Sequence, residues 1–105
     1  MGGRQDFDIG VGWYFSASHR DVVRKELHGH DYEVWAWFPA EPPRDAVALQ
    51  ETLKVALSAF DHKTLSDNLS RAEDLAAAIQ GLLDGCIGVD IHRPVQRQRV
   101  RAHRA

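Results

Sequence analysis

Hydrophobic and polar positions alternate through two long stretches of the chain. In "FDIGVGWYFSASH" (7–19), Phe7, Ile9, Val11, Trp13, Phe15, Ala17 and His19 fall at every second position. That period predicts a long strand with one buried face. Gly10 and Gly12 share the other face and mark a bulge or a close backbone approach. In "HGHDYEVWAWF" (28–38), His28, His30, Tyr32, Val34, Ala36 and Phe38 share one face, and Glu33, Trp35 and Trp37 the other. Two large indoles are costly against water, so their face is expected to meet helices or another subunit. The prolines of "PAEPPRD" (39–45) stop this strand. The two strands are expected to pair antiparallel.

Helical spacing follows. From about 45 to 59, Leu49, Leu53, Ala56, Leu57 and, just beyond, Phe60 recur three or four residues apart. "SRAEDLAAAIQGLLDG" (70–85) opens with a capping box from Ser70 to Glu73 and carries a stripe of Leu75, Ile79, Leu82 and Leu83. Gly85 reads as its stop. "CIGVDIH" (86–92) is a third strand. The last stretch, 93–105, has five arginines and no acid and reads either as a weak edge strand with Val95 and Val100 or as a basic tail. Strand, strand, helix, helix, strand is an α+β order: an antiparallel sheet with two helices on one face.

Composition narrows the class. At 105 residues the chain is expected to form one domain, 1–105. A formal net charge of −2 gives no reason to expect nucleic acid or an anionic membrane as a partner. No apolar run approaches the roughly 20 residues of a spanning helix, and "MGGRQDFD" has no signal-peptide character. One cysteine, Cys86, excludes an internal disulfide and fits a reducing cytoplasm. A chain this short that does chemistry often borrows walls from neighbouring subunits, so a homo-oligomer is expected.

The chemistry lies in the histidines. Residues i and i+2 of a strand share a face, so His28 and His30 can converge on one ion, and His19 can add a third nitrogen if the strands pair. Three protein ligands and one open position is the pattern of catalytic zinc. The alternative is that the histidines are incidental to a strand. Asp61 and His62 form a second pair, in which a carboxylate can fix an imidazole's tautomer for base catalysis. Adjacent residues ordinarily point apart, however, and taken alone the pair reads as helix-end capping.

Taken together and in order, "FSASH" (15–19), "LHGHDYEVW" (27–35), "AFDHKTL" (59–65) and "AEDLAAAI" (72–79) resemble the 6-pyruvoyltetrahydropterin synthase and 6-carboxytetrahydropterin synthase family, over roughly residues 13 to 92. The resemblance implies the tunnelling fold, in which subunits join sheets into a barrel, often a hexamer of two stacked trimers. It implies zinc held by three histidines, here matching His19, His28 and His30. It implies a cytoplasmic lyase of pterin or queuosine biosynthesis acting on 7,8-dihydroneopterin triphosphate. There zinc polarises side-chain oxygens while a base removes a carbon-bound proton. An Asp–His pair, here Asp61 and His62, activates that base or relays the proton.

Several positions depart from the family pattern. The usual catalytic cysteine precedes HGH, but "RDVVRKELHGH" (20–30) has none, and Arg24 stands about where it would be. A related subgroup uses a glutamate there, which makes Glu26 the candidate base. The Pro-Thr-x-Glu ahead of the second helix reads "SRAE", keeping Glu73. Where the family places a glutamate that pairs with the pterin ring, Arg93 stands. A guanidinium only donates, so it suits a carboxylate or phosphate instead. Three readings follow: a zinc-dependent pterin-type lyase, the same site with another anionic substrate, or a metal-stabilised oligomer that binds without catalysis.

Overall fold

The computed structural model describes residues 7–21 and 26–103, with backbone alone at 20, 21 and 26–28. Arg24 lies outside the described residues. The alternating stretches form β1 (Asp8–Asp21) and β2 (Glu26–Pro39), two 14-residue strands paired antiparallel along their whole length. At about 3.3 Å per residue this ribbon sets the long dimension of the molecule, which extends 59 Å. Then come α1 (Ala46–Leu57), β3 (Lys63–Thr64), α2 (Ala72–Leu82), β4 (Gly88–Arg93) and β5 (Gln98–His103). The sheet order is β3-β1-β2-β4-β5, antiparallel except for the short parallel pairing of β3 with β1. The arginine-rich stretch thus supplies an edge strand, with Val100 half-buried and Val95 exposed in the turn before it.

One face of the sheet holds the core. Phe15, Tyr32, Val34, Ala36 and Phe38 meet Val89 and Ile91 beneath both helices. Leu49, Leu53 and Leu57, each four residues apart, are buried along α1. Each fully buried apolar side chain contributes roughly 1.5–3 kcal/mol. Asp45 caps α1 by accepting from the Val47 amide at 2.9 Å. Arg44 lies 4.9 Å from the Phe38 ring centroid and donates to the Asp84 carbonyl at 3.3 Å, tying the start of α1 to the end of the second helical segment.

Two helix-level expectations change. The capping box does not form: the N-cap of α2 is Arg71 and makes no side-chain cap bond. Ser70 instead closes a 3-10 turn over Asp67–Leu69, its hydroxyl bonding back to the Asp67 carbonyl at 2.9 Å, so it cannot also serve the helix ahead. In the α2 stripe Leu75 and Ile79 are buried, as is Leu83 just past the helix end, but Leu82 is exposed; Ala72, Ala76 and Gln80 complete the buried face.

The helices cover the face of Tyr32 and Val34, which leaves the tryptophan face uncovered among the described residues. Here the glycines of β1 find their use. Gly10 stands opposite Trp37 and Gly12 opposite Trp35, and each indole lies over its glycine. A Cβ at Gly10 would sit 2.6 Å from the Trp37 ring. The same ring donates to Asp90 at 3.1 Å, and Asp90 is clasped by Arg101 of β5. Gly10→Val is therefore expected to displace Trp37 and lower stability by about 1–3 kcal/mol, the range for overpacking. Urea unfolding followed by tryptophan emission checks this, with Gly29→Val as the control, since nothing lies within 4 Å of a Cβ there.

Candidate active site

The hairpin register brings the histidine strands together. His19 stands directly across from His28, and His30 across from Ala17. The His19 and His30 rings stack with centroids 4.8 Å apart and Nε2 atoms 2.9 Å apart. Two nitrogens on a tetrahedral zinc at 2.0–2.1 Å would stand about 3.3 Å apart, so a small adjustment would let both rings ligate one ion. Without an ion the same distance is a hydrogen bond, one ring giving an N–H and the other a lone pair. The side chains of His28 and Glu26 lie outside the described residues, although Glu26 opens β2 opposite Asp21. Among the described residues no three metal-binding side chains converge. Tyr32 meets His30 edge-on at 5.9 Å and stacks on Phe15 at 4.8 Å, so the core fixes one side of the His30 ring. Burial pushes the Tyr32 phenol up, and the positive charge of Arg93 partly offsets that.

Asp61 and His62 do meet. His62 Nδ1 lies 3.0 Å from Asp61 Oδ1. Neighbouring side chains usually diverge, but His62 has φ 58°, a left-handed backbone that histidine adopts more readily than most residues. A carboxylate only accepts, so a hydrogen bond between them requires the proton on Nδ1, which in the neutral ring leaves Nε2 as the lone-pair nitrogen. The Asp61 amide donates to the Leu57 carbonyl at 3.2 Å, so the pair also closes the end of α1. It docks on the outer edge of β1: Asp61 Oδ1 accepts from the Ser16 amide at 3.0 Å, and the His62 amide donates to the Ser16 carbonyl at 2.6 Å. The next contacts are Leu65 N–H to the Ser18 carbonyl at 2.7 Å and Ser18 Oγ with Thr64 Oγ1 at 3.0 Å. His62 itself is 83% exposed, free to reach a ligand. His30 and His62 line one open cleft of about 470 Å³, along with Ser16, Asp31, Thr64 and Gln96.

The Ser16 amide, with the contact to His62, holds the Asp61 carboxyl below its usual range. A carboxylate whose folded pKa is depressed adds stability above its unfolded pKa near 4 and loses it as pH falls through the folded value. Acid unfolding below about pH 4 is thus expected to be shallower in Asp61→Asn than in wild type, as circular dichroism along a pH titration would show.

The other candidates stand at the same end of the sheet. Arg93 closes β4, and its charge acts on both Tyr32 and Glu73. Glu73, in the first turn of α2, bonds Arg71 at 3.3 Å and is exposed. Its carboxyl is lowered first by its own backbone amide and then by Arg71 and Arg93. Sequence reasoning passed over Ser16 and Asp31 as individual residues. The signal for Ser16 was the pair of hydroxyls in "FSASH" on the parity opposite the core.

A five-stranded, mostly antiparallel sheet with two helices is the α+β architecture of the tunnelling fold. Within it, this chain is similar to the solved 6-pyruvoyl tetrahydropterin synthase of Caenorhabditis elegans, with a TM-score of 0.77, 16% identity and 100% coverage of both chains. At that identity the likeness is one of fold. Neither a protein-family profile nor a curated protein sequence matches the chain.

Proposed function

We propose that this chain is a zinc-dependent lyase of the pterin-synthase type, acting on 7,8-dihydroneopterin triphosphate or a related pterin. The observation that carries the reading is the opening of His30 and the Asp61-bound His62 onto one cleft. The His19–His30 spacing fits two nitrogens of a zinc site, and His28, set across from His19 by the register, is the third ligand. When bound, such an ion supplies Lewis-acid polarisation of a substrate oxygen. The chain's own part is proton transfer. His62 Nε2, basic because Asp61 holds the Nδ1 proton, accepts or relays the proton that leaves carbon. Glu26 is the candidate second base in place of the absent cysteine. The uncovered tryptophan face and the outer strand edges support assembly of copies into a homo-oligomer, which would cover both.

A second reading keeps fold and metal but changes the substrate to another anionic metabolite. Its support is Arg93, whose charge acts on Tyr32 and Glu73. Mass spectrometry of products after incubating zinc-loaded protein with 7,8-dihydroneopterin triphosphate separates the two. Loss of triphosphate with appearance of a new pterin supports the lyase, and the product mass identifies the bond broken. An unchanged substrate, with zinc verified in place, rejects the pterin assignment in favour of the second reading.

A further inference from the structure

His62 can serve as a base only if its ring keeps one orientation, yet its segment is lightly held. The pairing of β3 with β1 is two residues long, Ala17 with Lys63 and Ser18 with Thr64. His62 lies one residue before that ladder. The Asp61 amide donates to the Leu57 carbonyl at the end of α1, and both bonds that tie the Asp61–His62 dipeptide to β1 go to the main chain of Ser16. The orientation of the Ser16 peptide groups therefore sets the position of the dyad. On the opposite side, the Ser16 hydroxyl donates to Asp31 Oδ1 at 2.6 Å, and Asp31 is the cross-strand partner of Ser16 in β2. An exposed hydrogen bond between strands already paired over fourteen residues adds little to the stability of the hairpin. What it does is hold Ser16 at the point where the Asp61–His62 dipeptide grips β1 from its other edge.

We propose that Ser16, clamped by Asp31, is the positioning residue for His62, linking the strand that carries His30 to the proton-transfer dyad. The chain of contacts runs Asp31 carboxylate, Ser16 hydroxyl, Ser16 peptide groups, Asp61 carboxylate and His62 imidazole. Neither Ser16 nor Asp31 touches the reacting atoms in this scheme. They act by keeping Nε2 aimed into the cleft. The inference rests on the proton-transfer role given to His62 above, so its test includes a measurement that does not need turnover.

Ser16→Ala removes the hydroxyl but leaves both backbone bonds available to the dyad. Asp31→Ala removes the acceptor. In each, kcat is expected to fall about tenfold or more, as small misplacements of a reacting group do, with KM within about twofold and zinc content unchanged. Ser16→Thr and Asp31→Asn, which keep a donor and an acceptor, are expected to restore most of kcat. Independently, nitrogen NMR of the histidine rings should show wild-type His62 held as the Nδ1–H tautomer. In Ser16→Ala and Asp31→Ala it should shift toward the averaged mixture of a free imidazole. A wild-type kcat in both alanine variants overturns the proposal. If wild-type protein does not turn over the pterin, the lyase reading fails by itself. An unchanged His62 tautomer in both alanine variants then overturns the role of Ser16, and a shifted one sustains it.

Discussion

With His62 replaced by alanine, turnover of the pterin substrate is expected to fall by roughly 10²–10⁴, the usual contribution of a positioned acid or base, while zinc content and melting temperature stay near wild type. The separation of effects follows from the geometry. His62 is 83% exposed, so removing its ring opens no cavity. Its φ of 58° carries strain that a side chain only adds to, so His62→Gly should be as inactive as the alanine variant and at least as stable as wild type. Asp61 would lose its ring partner but keep the Ser16 amide. Steady-state kinetics beside thermal melts tests the prediction. Turnover within about threefold of wild type would remove His62 from the mechanism, since the effect of a general base lies well above that. It would leave Glu26 as the candidate base.

His30→Ala is expected to abolish zinc binding: metal analysis should drop from about one zinc per chain to near none. The loss should exceed the roughly 10–100-fold weakening seen when only the outer contacts of a metal ligand are removed. His30 stacks on His19 with facing Nε2 atoms and meets Tyr32 edge-on, so its ring stands where a shared ion would lie. Because a ligand that binds only the folded state raises its stability, zinc should raise the wild-type melting temperature and a chelator lower it, with His30→Ala indifferent to both. His103→Ala, exposed at the end of β5, should behave as wild type. Full zinc loading of His30→Ala would reject the three-histidine site.

The parts of the fold written at short range were legible in the sequence. The period-two stretches gave β1 and β2 with their faces, because alternation is local and β pairing preserves it. Leu49, Leu53 and Leu57 gave α1 for the same reason. The tryptophan face was expected to meet helices or another subunit, since two indoles and a row of aliphatics both read as apolar, but the helices cover the face of Tyr32 and Val34 instead. The answer came from cross-strand partners: Gly10 and Gly12 let Trp37 and Trp35 lie flat, and flat indoles need no helix above them. Ser70 looked like a cap because sequence cannot show a hydroxyl already used by a preceding turn. At the site, the approach of His30 to His19 was legible from parity and pairing. The meeting of Asp61 with His62 was not, because it depends on one left-handed residue.

The two-residue parallel ladder next to His62 has a consequence for how the protein loses function. Native proteins open in pieces, and the pieces with few hydrogen bonds open at the lowest free energy. The amides of His62 and Leu65 are bonded only to the outer edge of β1, beyond the long hairpin. They should exchange with solvent well before the amides in the middle of β1 and β2. Warming would then release the dyad while the sheet and its histidine cluster remain intact. Such a protein inactivates below the temperature at which it melts, and cooling restores it without any refolding of the core.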